Sequence, residues 1–144
     1  MHRMDEISRR LFNGYLFRNS SLLAEALAHR SYSSEHGLKY DNQRLEYLGD
    51  AVLSLISAEH LFLQNPGASE GDMSNLRSRL TQDRKLAQIG KGIGIGELLR
   101  LGRGEERNGG ASRASNLADA VEAVIGAAWI DGGSRAAHRI FKKV

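Results

Sequence analysis

Two pairs of acidic residues, Glu46 with Asp50 and Asp119 with Glu122, have the residue types and spacing best suited to chemistry in this sequence. Steps of four and three residues put each pair on one face of a helix, one turn apart. Either pair alone could be a solvated helix edge. A like-charge pair at i,i+4 is nevertheless unfavourable by about 0.2–0.5 kcal/mol, and both pairs lie in strongly apolar segments. If the two helices pack side by side, four carboxylates meet, and carboxylates that close resist joint ionisation. A hard divalent cation such as Mg²⁺ resolves that conflict, because it takes oxygen ligands and keeps some of its waters. Such a site suits phosphoryl transfer, where a metal activates water and stabilises charge on phosphate. Gly49, next to Asp50, removes a side chain where a ligand or second helix could come close.

The elements that must position these residues read as helices. Pro66 is the sole proline and alternating β-branched runs are absent, so helical periodicity dominates. A first helix is expected over about Asp5 to Phe12, and a second from about Ser20 to Arg30 with Asn19 or Ser20 as N-cap. Leu22, Leu23, Ala26 and Leu27 would face inward from the second. Asn42 is expected to cap the third, which Pro66 stops, with Leu45, Leu48, Val52, Leu55 and Phe62 on its expected buried face. Ser69-Glu70-Gly71-Asp72 resembles a capping box opening a fourth helix, with Met73, Leu76 and Leu80 inward. A fifth is expected from Asp83 to Ile89, ended by Gly90 and Gly92, and residues 90–114 read as an irregular glycine-rich stretch. A sixth spans Ser115 to Ile130, with Leu117, Val121, Val124, Ile125 and Ala128 on one face. Asp131-Gly132-Gly133 then interrupts it, and a last helix begins near Ser134. The expected fold is all-α, a single compact domain over residues 1–144 with about seven helices.

Composition narrows the function classes. A chain of 144 residues is long enough for one proper hydrophobic core. The absence of cysteine excludes disulfides and thiolate metal sites. No signal-peptide pattern or membrane-length apolar run is present, which leads to the expectation of a cytoplasmic protein that does not enter membranes. The net charge of +3 is weak evidence for nucleic acid by itself. It gains weight because Arg103, Arg107 and Arg113 fall in the glycine-rich stretch, away from the acidic helices, and the arginine fork suits phosphate oxygens.

The segment Asn42-Gln43-Arg44-Leu45-Glu46-Tyr47-Leu48-Gly49-Asp50-Ala51-Val52-Leu53 resembles the signature of the ribonuclease III family. Ala28-His29-Arg30-Ser31, Glu70-Gly71-Asp72-Met73-Ser74, Leu101-Gly102-Arg103-Gly104-Glu105 and Leu117-Ala118-Asp119-Ala120-Val121-Glu122-Ala123 resemble further family segments, in the family's order. The resemblance runs from about residue 6 to 140. It implies an all-helical endonuclease domain that works as a homodimer and cleaves double-stranded RNA. The cofactor would be Mg²⁺, with Mn²⁺ as a substitute, and the products 5′-phosphate and 3′-hydroxyl ends with short 3′ overhangs. Family members commonly carry a separate double-stranded-RNA-binding domain, which is not expected within residues 1–144.

Carried over by position, Glu46, Asp50, Asp119 and Glu122 match the family's metal-site carboxylates, with Asp50 and Glu122 the expected catalytic residues. Gln43 departs from the pattern, which usually has Glu there. Glutamine is a poorer metal ligand, so Gln43 is expected to be auxiliary, bonding a water or an RNA hydroxyl. Glu70 matches an acidic position near the active-site valley, although an acid in a first helical turn also offsets the dipole by about 0.3–1 kcal/mol. Tyr47 matches an aromatic at the dimer interface. Arg103, Arg107, Arg113 and Glu105 are RNA-contact candidates, the arginines gripping backbone phosphates without reading bases. His29 is expected to be buried and hydrogen-bonded at a helix terminus, since a metal-assisted hydrolysis requires no histidine. Two rival readings remain. One is a catalytically silent RNA-binding or ribosome-associated protein of the same fold, which loss of a carboxylate would favour. The other is a di-metal carboxylate oxidase, which calls for Glu-x-x-His pairs that are not positioned here.

Overall fold

The computed structural model describes residues 12–142, and these form seven α-helices with two single 3₁₀ turns between them. In chain order they are α1 (Ser20–Ala26), α2 (Arg30–Glu35), α3 (Gln43–Gln64), α4 (Glu70–Thr81), α5 (Asp83–Ile93), α6 (Arg103–Arg107) and α7 (Ala114–Phe141). The helix expected over residues 5–12 lies outside the described residues except for Phe12, a buried core side chain. No strand occurs among the described residues, only an isolated parallel bridge between Ala28 and Arg100. The all-α expectation holds.

That bridge explains a helix boundary the sequence misplaces. Arg100 donates its backbone N–H to Leu27 O (2.9 Å) and accepts from His29 N (3.0 Å) at its own carbonyl. The chain therefore leaves helical geometry after Ala26, although residues 20–30 are compatible with one continuous helix. It restarts at Arg30 as α2, where the His29 ring accepts from Ser31 N (3.1 Å) as an N-cap. Two further bonds clamp the segment: Asn42 N donates to Ala28 O (2.9 Å), and Gly102 N donates to Ser31 Oγ (2.8 Å). His29 and Arg30 are thereby fixed beside the start of α3.

The core sits between α3 and α7, the most extensively packed pair of elements, with α5 next against α7. From Asn116 to Ala128 every α7 residue except Asp119 is buried, so this helix is enclosed on all sides rather than along one face. Gly133 (φ 70°, ψ −158°) breaks it where the glycine pair predicts an interruption. Ser69 caps α4 as expected, its hydroxyl accepting from Asp72 N (3.1 Å). Helix α5 runs four residues beyond the expected end and stops at Gly94 (φ 76°). Gly90 does not end it. It is buried, and a Cβ there would lie 3.2 Å from the Leu117 carbonyl oxygen, so its role is close helix packing.

Expected buried faces fail in two places. Leu55 and Phe62 of α3 are 60% and 66% exposed, while Leu53, Ile56 and Leu61 take the interior. Helix α4 has no fully buried residue, and Met73, Leu76 and Leu80 are only half covered. The apolar periodicity of these helices continues onto a surface this chain does not cover. The stretch 90–114 is also more ordered than expected, holding the 3₁₀ turns Ile95–Glu97 and Gly110–Ser112 as well as α6.

Candidate metal centre

The contact that builds the site is made by glycine. A Cβ on Gly49 would fall within the van der Waals radius of the Glu122 carbonyl oxygen, and one on Gly126 would sit 2.9 Å from Gly49 N. With no side chain at either position, the backbones of α3 and α7 touch. Their acidic faces then meet at a separation set by main chain, and the carboxylates need not reach across a gap. This is a direct consequence of one sequence feature, Gly49 beside Asp50, meeting another, Gly126 one turn after Glu122.

Carboxylate oxygens of Glu46, Asp119 and Glu122 all come within 4.8 Å of one another. Oxygens on opposite sides of a single Mg²⁺ lie about 4.2 Å apart, twice a bond of about 2.1 Å. Adjacent ones lie about 3.0 Å apart, so the three groups would draw inward to share one cation, and their all-oxygen chemistry fits a hard divalent ion. Asp50 is more exposed and flanks this trio, within hydrogen-bond reach of Glu122 in the same cavity. Each helix thus contributes its full acidic pair. The carboxyls meet across the seam as Glu46 with Asp119 and Asp50 with Glu122.

Electrostatics confirm that these groups are crowded. Burial, followed by the carboxylate of Asp119, pushes the Glu46 pKa up to about 7. Glu122, buried with 6% of its surface exposed, is raised to about 8 by desolvation and then by Asp50. Asp119 is raised as well, chiefly by burial, although the shared hydrogen bond with Glu46 works against the shift. Without a cation these groups favour holding protons, and a bound divalent ion would reverse that preference.

Other predicted residues divide clearly. Gln43, in the first turn of α3, lines the carboxylate cavity. Tyr47 stands at its rim and is 84% exposed, which rules out a core role within this chain. Glu70 is not in the cavity; it opens α4 beside a separate apolar groove with Leu55, Phe62 and Met73. Arg103 is surface-exposed and pairs with Glu35 (3.5 Å), and Arg107 is exposed with no ion pair among the described residues. Arg113 is committed elsewhere. It binds the Glu105 carboxylate and the Asn108 carbonyl (3.1 Å), while Asn116 Nδ2 also donates to Glu105 (3.0 Å). Glu105 and Arg113 therefore hold the α6–α7 connection together, and the Asn116 hydrogen bond is the main cause of the lowered Glu105 pKa.

Asn42, expected to cap α3, makes no side-chain cap hydrogen bond and instead lines the cavity, buried; three further cavity residues escape sequence reasoning. His29 is half-buried rather than buried, caps α2 rather than ending α1, and lines the cavity together with Arg30. Because its Nδ1 accepts from Ser31 N, a neutral ring carries its proton on Nε2. Asp83, the first residue of α5, is the third. A single acid at a helix start looks like a dipole partner, so nothing in the sequence marks it.

Comparison with known proteins agrees with this geometry. A ribonuclease-III-like family model matches residues 19–144. The chain is 51% identical over 120 residues to Ribonuclease 3 of Alkalilimnicola ehrlichii, covering 83% of this chain and 50% of that protein. It is 48% identical over 126 residues to Ribonuclease 3 of Streptomyces coelicolor, covering 85% of this chain and 46% of that one. The chain thus spans about half the length of the curated relatives it matches. Among solved structures it resembles the ribonuclease III nuclease domain of Campylobacter jejuni, with a TM-score of 0.88 at 35% identity, covering 99% of this chain and 94% of that one. A second structure of that domain, which concerns flexibility in a region involved in dimer formation, gives a TM-score of 0.89 at 35% identity, covering 98% and 95%. The chain belongs to the ribonuclease-III-like family.

Proposed function

We propose that this chain is the catalytic unit of a Mg²⁺-dependent endoribonuclease that cleaves double-stranded RNA, acting as a homodimer in the cytoplasm. The observation that carries the reading is the meeting of two acidic pairs across a glycine-made backbone contact. Glu46, Asp119 and Glu122 would hold the cation, with Asp50 completing the shell on its open side. When bound, a divalent cation there supplies Lewis-acid stabilisation of the phosphate and lowers the pKa of water. The residues of the chain do the rest. Glu122, buried against α3, keeps the cluster rigid, while Asp50 faces solvent where an incoming phosphate would lie. Gln43 offers an amide to an RNA hydroxyl or a water, and Arg30 supplies positive charge at the cavity wall.

Exposed Arg103 and Arg107 would grip backbone phosphates, so affinity follows charge and duplex shape rather than base sequence. No helix among the described residues is long and apolar enough to cross a membrane. Tyr47, Leu55 and Phe62 give α3 an exposed apolar flank beside the cavity. A two-fold dimer about that flank would set two equivalent sites against two antiparallel strands, leaving 5′-phosphate and 3′-hydroxyl ends with short 3′ overhangs. The catalytically silent alternative gains nothing here, because all four carboxylates are present and converge. The oxidase alternative fails on ligands: the close cluster is three carboxylates with no histidine.

The test is incubation with a long RNA duplex in Mg²⁺, in EDTA, and with a Glu122→Gln variant. Cleavage should require Mg²⁺ and fall by at least about a thousandfold in the variant, a barrier increase of about 4 kcal/mol. Substantial cutting in EDTA, or by Glu122→Gln, would contradict the reading.

A further inference from the structure

Asp83 comes to the carboxylate cavity from an element that supplies none of its other acids. It is the first residue of α5, exposed, and lines the cavity together with the acidic residues of α3 and α7. Its carboxylate makes no hydrogen bond or ion pair among the described residues, although Arg84 and Lys85 follow it directly. In a helix, side chains one and two residues on point to other faces, so neither cation is placed to pair with it. Asp83 stands with the carboxylates of Glu46, Asp50, Asp119 and Glu122 around one cavity.

The same cavity is lined by Gln43, in the first turn of α3, a neutral residue where the ribonuclease III signature has an acid. Resting on the metal-site reading above, we propose that Asp83 supplies the outer negative charge of the cation shell in this chain, through waters of the ion, in the place left neutral by Gln43. Direct ligation is left to the close trio. An outer carboxylate accepts hydrogen bonds from ion-bound waters and so orients those waters and adds to the ion's affinity. The ordinary role of an acid in a first helical turn would be dipole stabilisation, which acts on folding and not on cation affinity. The two roles therefore separate by experiment.

The experiment is titration of the intact protein with Mn²⁺ by calorimetry, without RNA, for wild type, Asp83→Asn, and Asp83→Asn combined with Gln43→Glu. Metal-free melting temperature is recorded for each. Asp83→Asn should weaken Mn²⁺ binding about tenfold, within the range for loss of a partner to the first ligand layer. Adding Gln43→Glu should recover most of the lost affinity, because it restores an acid to the same cavity. Unchanged Mn²⁺ affinity in Asp83→Asn would overturn the proposal, as would a loss that Gln43→Glu does not recover. Failure of the wild type itself to bind Mn²⁺ would instead count against the metal-site reading on which this rests.

Discussion

The two flanks of α3 behave in opposite ways. Its inner flank, with Leu45, Gly49, Val52, Leu53 and Ile56, is finished within the chain: every one of these residues is buried, and Gly49 brings main chain against main chain. The outer flank carries Tyr47, Leu55 and Phe62, all more than half exposed. The carboxylates lie where the two flanks meet. The inner flank sets the distance between acidic pairs, and the outer one leaves an apolar surface that starts with Tyr47 at the cavity and runs along the helix to Leu55 and Phe62 at a separate groove. The comparison teaches that the site's geometry is a property of one chain, whereas the surroundings of its open side depend on what covers the outer flank.

The largest effect should come from breaking the inner flank. Gly49→Ala places a methyl group against the Glu122 carbonyl, and backbone cannot step aside as a side chain does. Destabilisation should reach about 3–4 kcal/mol, above the usual range for overpacking. Urea denaturation reads it as a lowered midpoint, and a loss below about 1 kcal/mol would show that the helices separate easily. The outer flank should respond differently. Tyr47→Asp removes no core contact in this chain, so the stability of a monomer should change by no more than about 0.5 kcal/mol. It should, however, shift sedimentation from dimer towards monomer, because an unpaired charge in an apolar contact is costly. A variant as dimeric as wild type would remove Tyr47 from the interface. A monomeric wild type still making staggered double cuts would remove the dimer from the mechanism.

The same contrast explains what could be read from the sequence. Glu46, Asp50, Asp119 and Glu122 are legible because i,i+4 and i,i+3 steps follow from helix geometry alone. The long helix, its stop before Pro66 and the break at Gly133 are local signals too. The end of α1 is not local: it depends on Arg100, far along the chain, drawing Leu27 and His29 into a bridge. Leu55 and Phe62 have the right period for burial, but periodicity cannot distinguish a face covered by this chain from one left open. Asp83 escapes for a related reason, since its meaning comes from two other helices. The pairing of Arg113 with Glu105 depends on how the loop folds back and is invisible in one dimension.

Helices α3 and α7 hold their carboxylates in mutual repulsion that a divalent cation would relieve. In the folded protein Glu46 and Glu122 are raised to about 7 and 8 from an ordinary value of 4.5. A raised carboxyl binds more protons in the folded state, so its stabilising contribution is complete below pH 4.5 and is lost as pH rises through 7 and 8. His138, raised mainly by its hydrogen bond to Glu59, adds a loss of the same sign, so Glu122→Gln is the necessary reference. The most direct measurement is therefore the melting temperature of wild type and Glu122→Gln from about pH 5 to 8.5, with and without saturating Mg²⁺. The account predicts that metal-free wild type declines more steeply than the variant across this window, and that Mg²⁺ removes most of the excess decline. Parallel declines in the two proteins, with Mg²⁺ stabilising both equally or neither, would contradict it.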